Sequence, residues 1–588
     1  MKRKTSGLLA ALLSASLLLT ACTSTGEQTG QETPAPTPSE SQAAQTEQTG
    51  MTPGTYVGIG EGRNGAIVVE VTVGESSIDS IEVVSHKETY HVGEVPLLEY
   101  PEQIVANQSL AVDNVSGATI SSMAFLSAVK DCITQAGGDP ADFDGEIPST
   151  AVAEDCTADV VVVGAGGAGM TAAIHAAQAG KQVILLEKLG FVGGTSCFSI
   201  ESMGASESNV HKALGTPVTM DQMYENYVNA NPNGIPEAFD ILAHNNGAAV
   251  DWLKSIGAML TVTSSGSSVA SSREAGKLGL VIVSALEAEC EKAGVDIRLN
   301  SAATELVMED GAVTGVKVEN DAGTYTISAK SVVLATGGFG ANSEMVTEQV
   351  PELEGYLSSC SVGATGDGHN MAAAVGAQLR DMDYFRVNFT YHTQPNGYYY
   401  YMGSLFNTGA IFVNDAGQRF VNDQGGYGVG MQVVEQGGSG WAIFDNSIVS
   451  SMQDVREYME LGLFEQADTI EELAEKIGVD PAALQETITT YQGYVANGVD
   501  EEFGRAMLNM TFDEAPYYAC RMTCRVQGTF GGIATDTDTR VLTEDGQAIP
   551  GLYAAGECAS VGTWGANPVA VNLVFGKIAG ENAAAWAE

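Results

Sequence analysis

Residues 158–169 read ADVVVVGAGGAG, in which four consecutive valines lead into four glycines within six positions. A continuous apolar run is typical of a strand buried on both faces, and the glycines predict a tight turn into a helix that continues through Ala179. A second strand follows over Lys181–Leu186, and Glu187 ends it about twenty residues after the turn, where such folds place a ribose-binding acid. Strand, turn, helix and acid together predict a dinucleotide site, with the pyrophosphate at the helix N-terminus.

The size and charge of the chain limit what it can be. At 588 residues the chain is expected to form two or three domains, because single cores rarely grow beyond about 250–300 residues. It has 73 acidic residues against 26 basic ones, and a negative field of this size repels phosphate backbones, so nucleic acid is a poor partner. Apart from Cys520 and Cys524, whose spacing could place both thiols on one helical face, no cysteine spacing indicates a disulfide or a metal site, and no metal is expected.

The N-terminus has the features of an export signal. Basic residues 2–4 precede an apolar stretch over about 8–19, which is shorter than the roughly 20 residues that span a bilayer. The string Leu19-Thr20-Ala21-Cys22 resembles a bacterial lipobox, which implies removal of a signal peptide (1–21) and acylation of Cys22. An ordinary signal peptide with a chance cysteine is the alternative. Residues 22–53 nearly lack large apolar side chains and are expected to form a flexible tether. The expected location is the extracytoplasmic face of the cell membrane, with Cys22 anchored in the bilayer.

Residues 54–143 are predicted to form a small α+β domain. Two short strand-like runs, Ala66–Val73 and Ile78–Val84, precede a helical pattern over Ile120–Gln135. A polar linker, residues 144–157, separates this domain from the alternating strands and helices that follow.

The start of that predicted helix carries a second informative motif. Residues 113–122 read DNVSGATISS, which places small residues and hydroxyls where exposed backbone N–H groups favour a phosphate. A loop with a serine or threonine N-cap would have the same composition. The string resembles the S-G-A-T-x-S flavinylation motif of FMN-binding domains. That resemblance implies FMN attached covalently to Thr119 by a dedicated flavin transferase, with Ser116 and Gly117 in the binding loop.

Further glycine-containing strings follow the dinucleotide motif: VVLATGG at 332–338, GLYAAGE at 551–557, and shorter strings at 193–195, 365–368 and 531–533. Together they resemble the flavoprotein subunit of fumarate reductases, whose superfamily includes soluble flavocytochromes, urocanate reductases and 3-oxosteroid dehydrogenases. The resemblance implies an α/β fold: a Rossmann-type domain that binds FAD non-covalently, formed by residues 158–390 and 526–588 around an inserted α+β capping domain, residues 391–525. The implied FAD-binding residues are Gly164, Gly166, Ala168, Gly169, Glu187, Lys188, Gly193, Gly194, Thr195, Ser196, Thr336, Gly337, Asp367, Glu557, Asn572 and Leu573.

The resemblance breaks at the residues that hold the substrate in fumarate reductases, which use two arginines and two histidines. The matching positions here are Asn388, Tyr427, Gly528 and Pro568. A buried small dianion would then have no charge partner, which argues against fumarate as substrate. The expected acceptor is a larger, partly apolar enone or enoate that is neutral or weakly charged. Its predicted surroundings are Asn388, Tyr391, Tyr398, Tyr399, Tyr400, Tyr401, Tyr427, Phe530 and Trp564.

Reduction of an activated double bond also needs a proton donor. Tyr427 is the predicted donor, because tyrosine can act as an acid and this residue stands where the family has its proton-donating arginine. Arg419 and Asp423 are alternatives for the same role, and Asn388 and Tyr391 complete the set of candidate catalytic residues.

Two flavins in one chain predict a terminal reductase of anaerobic respiration. Electrons from a membrane donor would reach FMN, pass to FAD and leave as hydride to a small unsaturated organic acceptor. Two alternatives stay open: a dehydrogenase of a steroid-like ketone, and a non-catalytic electron-carrier lipoprotein.

Overall fold

The computed structural model describes residues 50–588 except 90–91, 116, 148–150, 200–201, 217, 232, 273–276, 396, 425 and 564–565, and leaves out the side chains of 407, 426 and 427. The predicted signal peptide, Cys22 and most of the predicted tether therefore lie outside the described residues, as do Ser116 and Trp564. Within the described part of the chain, no helix has both the length and the apolar character needed to cross a bilayer.

The N-terminal domain is a three-stranded antiparallel sheet covered by two helices. Its elements are β1 (Gly54–Glu61), β2 (Ala66–Val73), β3 (Ile78–Ser85), α1 (Val95–Asn107) and α2 (Thr119–Gln135). Every second residue of β2 is buried, as expected for a sheet with one face on a core. Gly58 and Gly60 let α2 cross β1 closely, since a Cβ on either would lie about 2 Å from a carbonyl oxygen of the helix. The predicted strands and helix of this domain are confirmed.

The large domain begins with a mostly parallel sheet. The strands in the first part of the large domain are β4 (Cys156–Val163), β5 (Val183–Leu186), β6 (Met203–Gly204), β7 (Leu260–Val262), β8 (Ser268–Ser271), β9 (Asp296–Arg298), β10 (Ala302–Glu309), β11 (Ala312–Asn320), β12 (Gly323–Leu334) and β13 (Leu379–Arg380). The helices are α3 (Gly167–Gln178), α4 (Asn209–Leu214), α5 (Met220–Ala230), α6 (Pro236–Ser255), α7 (Leu278–Ala293), α8 (Ser343–Gln349) and α9 (Asp367–Ala374).

The capping domain is an antiparallel sheet with short helices around it. Its strands are β14 (Phe385–Thr393), β15 (Tyr399–Tyr401), β16 (Ile411–Val413), β17 (Ser439–Asp445), β18 (Glu465–Ala467) and β19 (Tyr517–Thr529). Its helices are α10 (Gly403–Thr408), α11 (Gly430–Val434), α12 (Asn446–Ser451), α13 (Gln453–Glu460), α14 (Ile470–Ile477) and α15 (Pro481–Asn497). The sheet order is β15-β14-β19-β17-β16, with β18 on β19. The first and last strands extend a few residues beyond the predicted 391–525 at both ends.

The chain then returns to the large domain through β20 (Gly532–Ala534), β21 (Arg540–Leu542), β22 (Ala548–Ala554), β23 (Ala559–Ser560) and α16 (Pro568–Trp586). In the main sheet, ordered β10-β11-β12-β4-β5-β9, the strands β12, β4, β5 and β9 are parallel, and β22 adds to β12 in parallel. Ligands of such sheets bind beyond the carboxyl ends of the strands. The candidate site is therefore expected beyond the carboxyl ends of β4, β5, β12 and β22.

The expectation that Cys520 and Cys524 lie on one face of a helix is wrong. Both residues lie on β19, where residues four apart share one face of the strand, and both are buried. Their thiols are free and separately placed: Cys520 Sγ lies 3.8 Å from His392 Nδ1, and Cys524 Sγ lies 3.6 Å from the Gly430 carbonyl oxygen. The strand arises because alternate residues from Tyr518 to Val526 face the capping core.

Candidate active site

The glycine turn after β4 forms a cradle that only glycine backbone can make. Gly164 has φ +103°, and a Cβ there would lie 2.4 Å from the Ala335 carbonyl oxygen. A Cβ on Gly169 would lie 1.8 Å from the carbonyl oxygen of Gly164 itself. Helix α3 begins at Gly167 with no side-chain cap on Gly166, so its first N–H groups face the turn. This close approach fits a pyrophosphate at the N-terminus of α3.

Glu187 ends β5 beside that turn, as the sequence predicts. Its carboxylate is 7% exposed and accepts hydrogen bonds from the N–H groups of Ala165 (3.0 Å) and Leu189 (2.9 Å). Burial raises the pKa of Glu187, and these two bonds act against that rise. The geometry fixes the carboxylate and leaves it oxygen lone pairs for a ribose hydroxyl.

One large cavity joins the predicted FAD-binding residues to the capping domain. Its volume is about 1850 Å³, well above the roughly 300–1000 Å³ of sites for drug-sized ligands. It has room for a dinucleotide and an acceptor together. The predicted residues that line it are Gly164, Gly166, Ala168, Glu187, Lys188, Gly194, Thr195, Ser196, Thr336, Gly337, Asp367, Tyr391, Glu557 and Asn572. Gly169, Gly193 and Leu573 do not line it, and Leu573 is 2% exposed in the core behind it.

Two carboxylates at the cavity wall are held by specific donors. Lys188 Nζ lies 2.6 Å from Asp367 Oδ2 and 2.5 Å from Thr365 Oγ1. Glu557 is partly buried and accepts a hydrogen bond of 2.9 Å from the Thr529 N–H. Burial raises the pKa of Glu557, while the positive charge of Arg386 lowers it. The surroundings of Asp367 and Glu557 fit the cofactor contacts that the resemblance assigns to them.

His369, on α9, follows Asp367 by two residues but does not line the cavity. The imidazole is fully buried, its ring centroid lies 5.3 Å from that of Phe339, and neither ring nitrogen has a hydrogen-bond partner among the described residues. Burial lowers the pKa of His369 to about 4, so the ring is neutral near pH 7.

The predicted FMN-attachment loop lies against the large domain. Thr119 is exposed at the first position of α2, and the N-cap residue is Ala118, whose side chain cannot accept a capping hydrogen bond. Gly117 has φ +90°, and a Cβ there would lie 3.2 Å from the ring of Phe191 and 3.4 Å from Val362. The hydroxyl of Thr119 is therefore exposed at a helix N-terminus, where the first N–H groups have no partner within the helix, which fits a phosphoester there.

The same contact brings the two predicted flavin loops together. Phe191 lies two residues before Gly193, where the loop that holds Thr195 and Ser196 begins. Thr195 Oγ1 in turn accepts a hydrogen bond of 3.2 Å from the Ser361 N–H, which lies next to Val362. The loop that carries Thr119 thus lies beside two segments whose neighbouring residues line the FAD cavity.

The candidate catalytic residues are only partly brought together. Tyr391 lines the cavity and is 4% exposed. Asn388 is fully buried behind the wall, with Nδ2 3.5 Å from Oε1 of Gln527, which does line the cavity. The side chain of Tyr427 lies outside the described residues, so its role as proton donor stays a prediction.

Arg419 and Asp423 are placed away from the cavity, in the core of the capping domain. Arg419 Nη2 lies 2.6 Å from Asp423 Oδ2 and 2.8 Å from Asp500 Oδ2, and Arg505 also reaches Asp423. Although burial raises the pKa of Asp500, hydrogen bonds from Arg419 and from backbone N–H groups bring it down to about 2. Neither Arg419 nor Asp423 lines the cavity, and their mutual ion pair favours a structural role over the predicted proton transfer.

We expect Arg419→Gln to destabilise the capping domain by about 3–5 kcal/mol, because it leaves the buried Asp500 without a charge partner and Asp423 with Arg505 alone. Urea denaturation of the flavin-loaded protein measures this loss. Arg540→Gln is the matched control, since Arg540 pairs with Asp536 at the surface and such pairs contribute about 0–1 kcal/mol. Unchanged stability together with lost turnover would instead assign Arg419 to catalysis.

Cationic side chains that do not match the substrate-binding residues of fumarate reductases also line the cavity. Arg63, Lys87, Lys277 and Arg386 all line it. The guanidinium of Arg386 lies 4.9 Å from the centroid of the Phe530 ring. The expectation that the site has no cation to pair with an anionic acceptor is therefore wrong. The charged residues of fumarate reductases are missing, but cations from other segments of the chain line the cavity. Arg386 stands two residues before Asn388, and this closeness in sequence could have indicated that Arg386 lies near the site.

Comparison with known proteins agrees with this arrangement. The family described as FAD binding domain matches residues 159–574, and the family described as FMN-binding domain matches residues 62–134. Urocanate reductase from Eggerthella lenta is 35% identical over 99% of this chain and 98% of its own length. A fumarate reductase (cytochrome) from Shewanella frigidimarina is 35% identical over 74% of this chain and 78% of its own length.

Among solved structures, the open conformation of a flavocytochrome c3 fumarate reductase matches with a TM-score of 0.64 and 35% identity, covering 73% of this chain and 78% of that one. The fold, the two flavin-binding domains and the relatives agree. The chain belongs to the family of FAD-dependent oxidoreductases that act on carbon–carbon double bonds, with an FMN-binding domain ahead of its FAD-binding domain.

Proposed function

We propose that this protein is a lipid-anchored, extracytoplasmic reductase that passes electrons from covalent FMN on Thr119 through FAD to the activated double bond of an organic acceptor. A membrane donor supplies the electrons, and a flavin transferase attaches the FMN. The observation that carries the proposal is the packing of the Thr119 loop on Phe191 and Val362, beside the backbone that lines the FAD cavity. Electron transfer needs such proximity.

The reduction adds a hydride and a proton across the double bond. The flavins, when bound, supply electron relay and hydride delivery. The chain supplies the binding surfaces. Tyr391 forms part of the wall and is held by edge-on contacts with Tyr399 and Tyr401, at centroid distances of 5.5 Å and 5.6 Å. Tyr427 remains the proposed proton donor.

The acceptor is an enone or enoate with an aromatic or otherwise apolar body. The tyrosines at 398–401 line the cavity together with Phe198 and Phe530, which suits a flat apolar group. Urocanate, the compound named for the relative from Eggerthella lenta, has an aromatic ring joined to an acrylate and is of this kind.

The test is a substrate panel with reduced viologen under anaerobic conditions. The protein is produced with its flavin transferase, and FMN and FAD contents are measured first. The panel contains fumarate, urocanate, cinnamate, cinnamamide and a steroid enone. We expect viologen oxidation with at least one aromatic member and little with fumarate, which has no apolar body to lie against the tyrosines at 398–401. Oxidation with no member would refute the reductase, and oxidation with fumarate alone would refute the proposed acceptor class.

A further inference from the structure

Among the residues that the structure describes, Arg63 and Lys277 are two cations of the cavity without an acidic partner. Arg63 lies in the turn between β1 and β2 of the FMN domain, and Lys277 lies directly before α7 of the FAD domain. Both line the same cavity as Tyr391 and Gln527. Within the described residues, neither has a carboxylate in ion-pair distance, in a chain with 73 acidic and only 26 basic residues.

Arg63 contacts two aromatic rings, and within the described part of the chain it forms no salt bridge. Its guanidinium carbon lies 5.3 Å from the centroid of the Tyr399 ring and 5.9 Å from that of Tyr398. Arg525 lies 4.0 Å from the Tyr399 ring and donates hydrogen bonds to the Ser358 carbonyl oxygen, which fixes that ring. Ring contacts use the face of a guanidinium and leave its N–H groups free to bind an anion.

Arg63 and Lys277 both line this cavity. Lys277 is accessible from the cavity but has protein atoms around it, and this burial lowers its pKa, as does the nearby charge of Arg63. Two cations that repel each other in one cavity are stabilised when an anion binds between them.

We propose that Arg63 and Lys277 together bind the carboxylate of the acceptor, which makes the acceptor an aromatic enoate and makes the FMN domain part of the substrate site. This inference rests on the proposed function, and it selects the enoate where the sequence left enone and enoate open. The aromatic body then lies against the tyrosines of 398–401, which line the cavity beside Arg63.

The probes are trans-cinnamate and trans-cinnamamide, which have the same shape and differ in charge. With flavin-loaded protein and reduced viologen, we expect Lys277→Met and Arg63→Met each to raise KM for cinnamate by about tenfold or more, since a hydrogen bond to a charged group is lost. The values of kcat for cinnamate and of KM for cinnamamide should stay unchanged. Lys277→Arg should restore a low KM for cinnamate. Lys212→Met, at an exposed lysine of α4, is the control and should change neither.

Three results would overturn the inference. Equal increases in KM for both probes would mean that the two cations only maintain the fold. Loss of FMN or FAD from the variants would mean that they bind a cofactor phosphate. Preferred binding of cinnamamide by the wild-type protein, measured by the shift in FAD absorbance during titration, would exclude a carboxylate site. Because this titration needs no turnover, it tests the site even if the panel shows no reductase activity.

Discussion

Thr119→Ala is expected to yield protein that retains FAD and carries no covalent flavin. The hydroxyl of Thr119 is exposed at the first residue of α2, and the variant removes the only atom to which the proposed phosphoester can attach at this residue. Intact mass should fall by one FMN adduct in addition to the side-chain change. After acid precipitation, flavin fluorescence should be absent from the pellet and present in the supernatant. Anaerobic titration with dithionite should show the electron uptake of one flavin where the wild type shows that of two.

The control is Thr134→Ala, an exposed threonine near the other end of the same helix. It should keep the adduct and both flavins, because it lies outside the motif at 116–121. A full adduct on the Thr119→Ala protein would place FMN on another residue. Loss of FAD as well would show that the Thr119 loop supports the fold of the FAD cavity through Phe191.

Gly169→Ala is expected to prevent FAD binding. The added Cβ would lie 1.8 Å from the Gly164 carbonyl oxygen and 3.3 Å from the Ala335 Cβ, so the turn that seats the pyrophosphate must move. Overpacking of this kind costs about 1–3 kcal/mol in ordinary cores, and here the obstructing atom belongs to backbone. FAD released by acid precipitation should fall close to zero, while covalent FMN stays with the pellet.

Gly493→Ala is the matched control, because Gly493 is also helical and an added Cβ meets no atom within 4 Å. It should keep full FAD and gain roughly 0.4–1 kcal/mol of stability, since alanine restricts the unfolded chain. A Gly169→Ala protein with normal FAD content would show that the turn can shift, and would weaken the placement of the pyrophosphate there.

Local patterns predicted the elements that bind the cofactors. The valine run at 160–163 forms β4, the glycines form the turn, and Glu187 follows β5 as expected. The strands at Ala66–Val73 and near Ile78 and the helix that begins at Thr119 were predicted within one residue. These features depend on neighbours along the chain: hydrophobic period, turn chemistry and helix termini.

The acceptor site was predicted less well, because its residues come from distant segments. Arg419 occurs in a string that the family places near the chemistry, yet Asp500 and Arg505 hold it in the capping core. Cys520 and Cys524 have a spacing that fits a helix face or a strand face equally. They lie on a strand because their segment pairs with neighbouring strands of the capping sheet.

The amino-acid sequence by itself determined that the chain is a two-flavin protein with a Rossmann-type domain, since each binding motif is a short, continuous segment. Only the tertiary structure decided which charges meet the acceptor. Arg63 of the FMN domain, Lys277 before α7 and Arg386 on β14 line one cavity although they belong to three different elements. The physical reason is that a cavity's electrostatics depends on distances through space, which no local pattern of residues encodes.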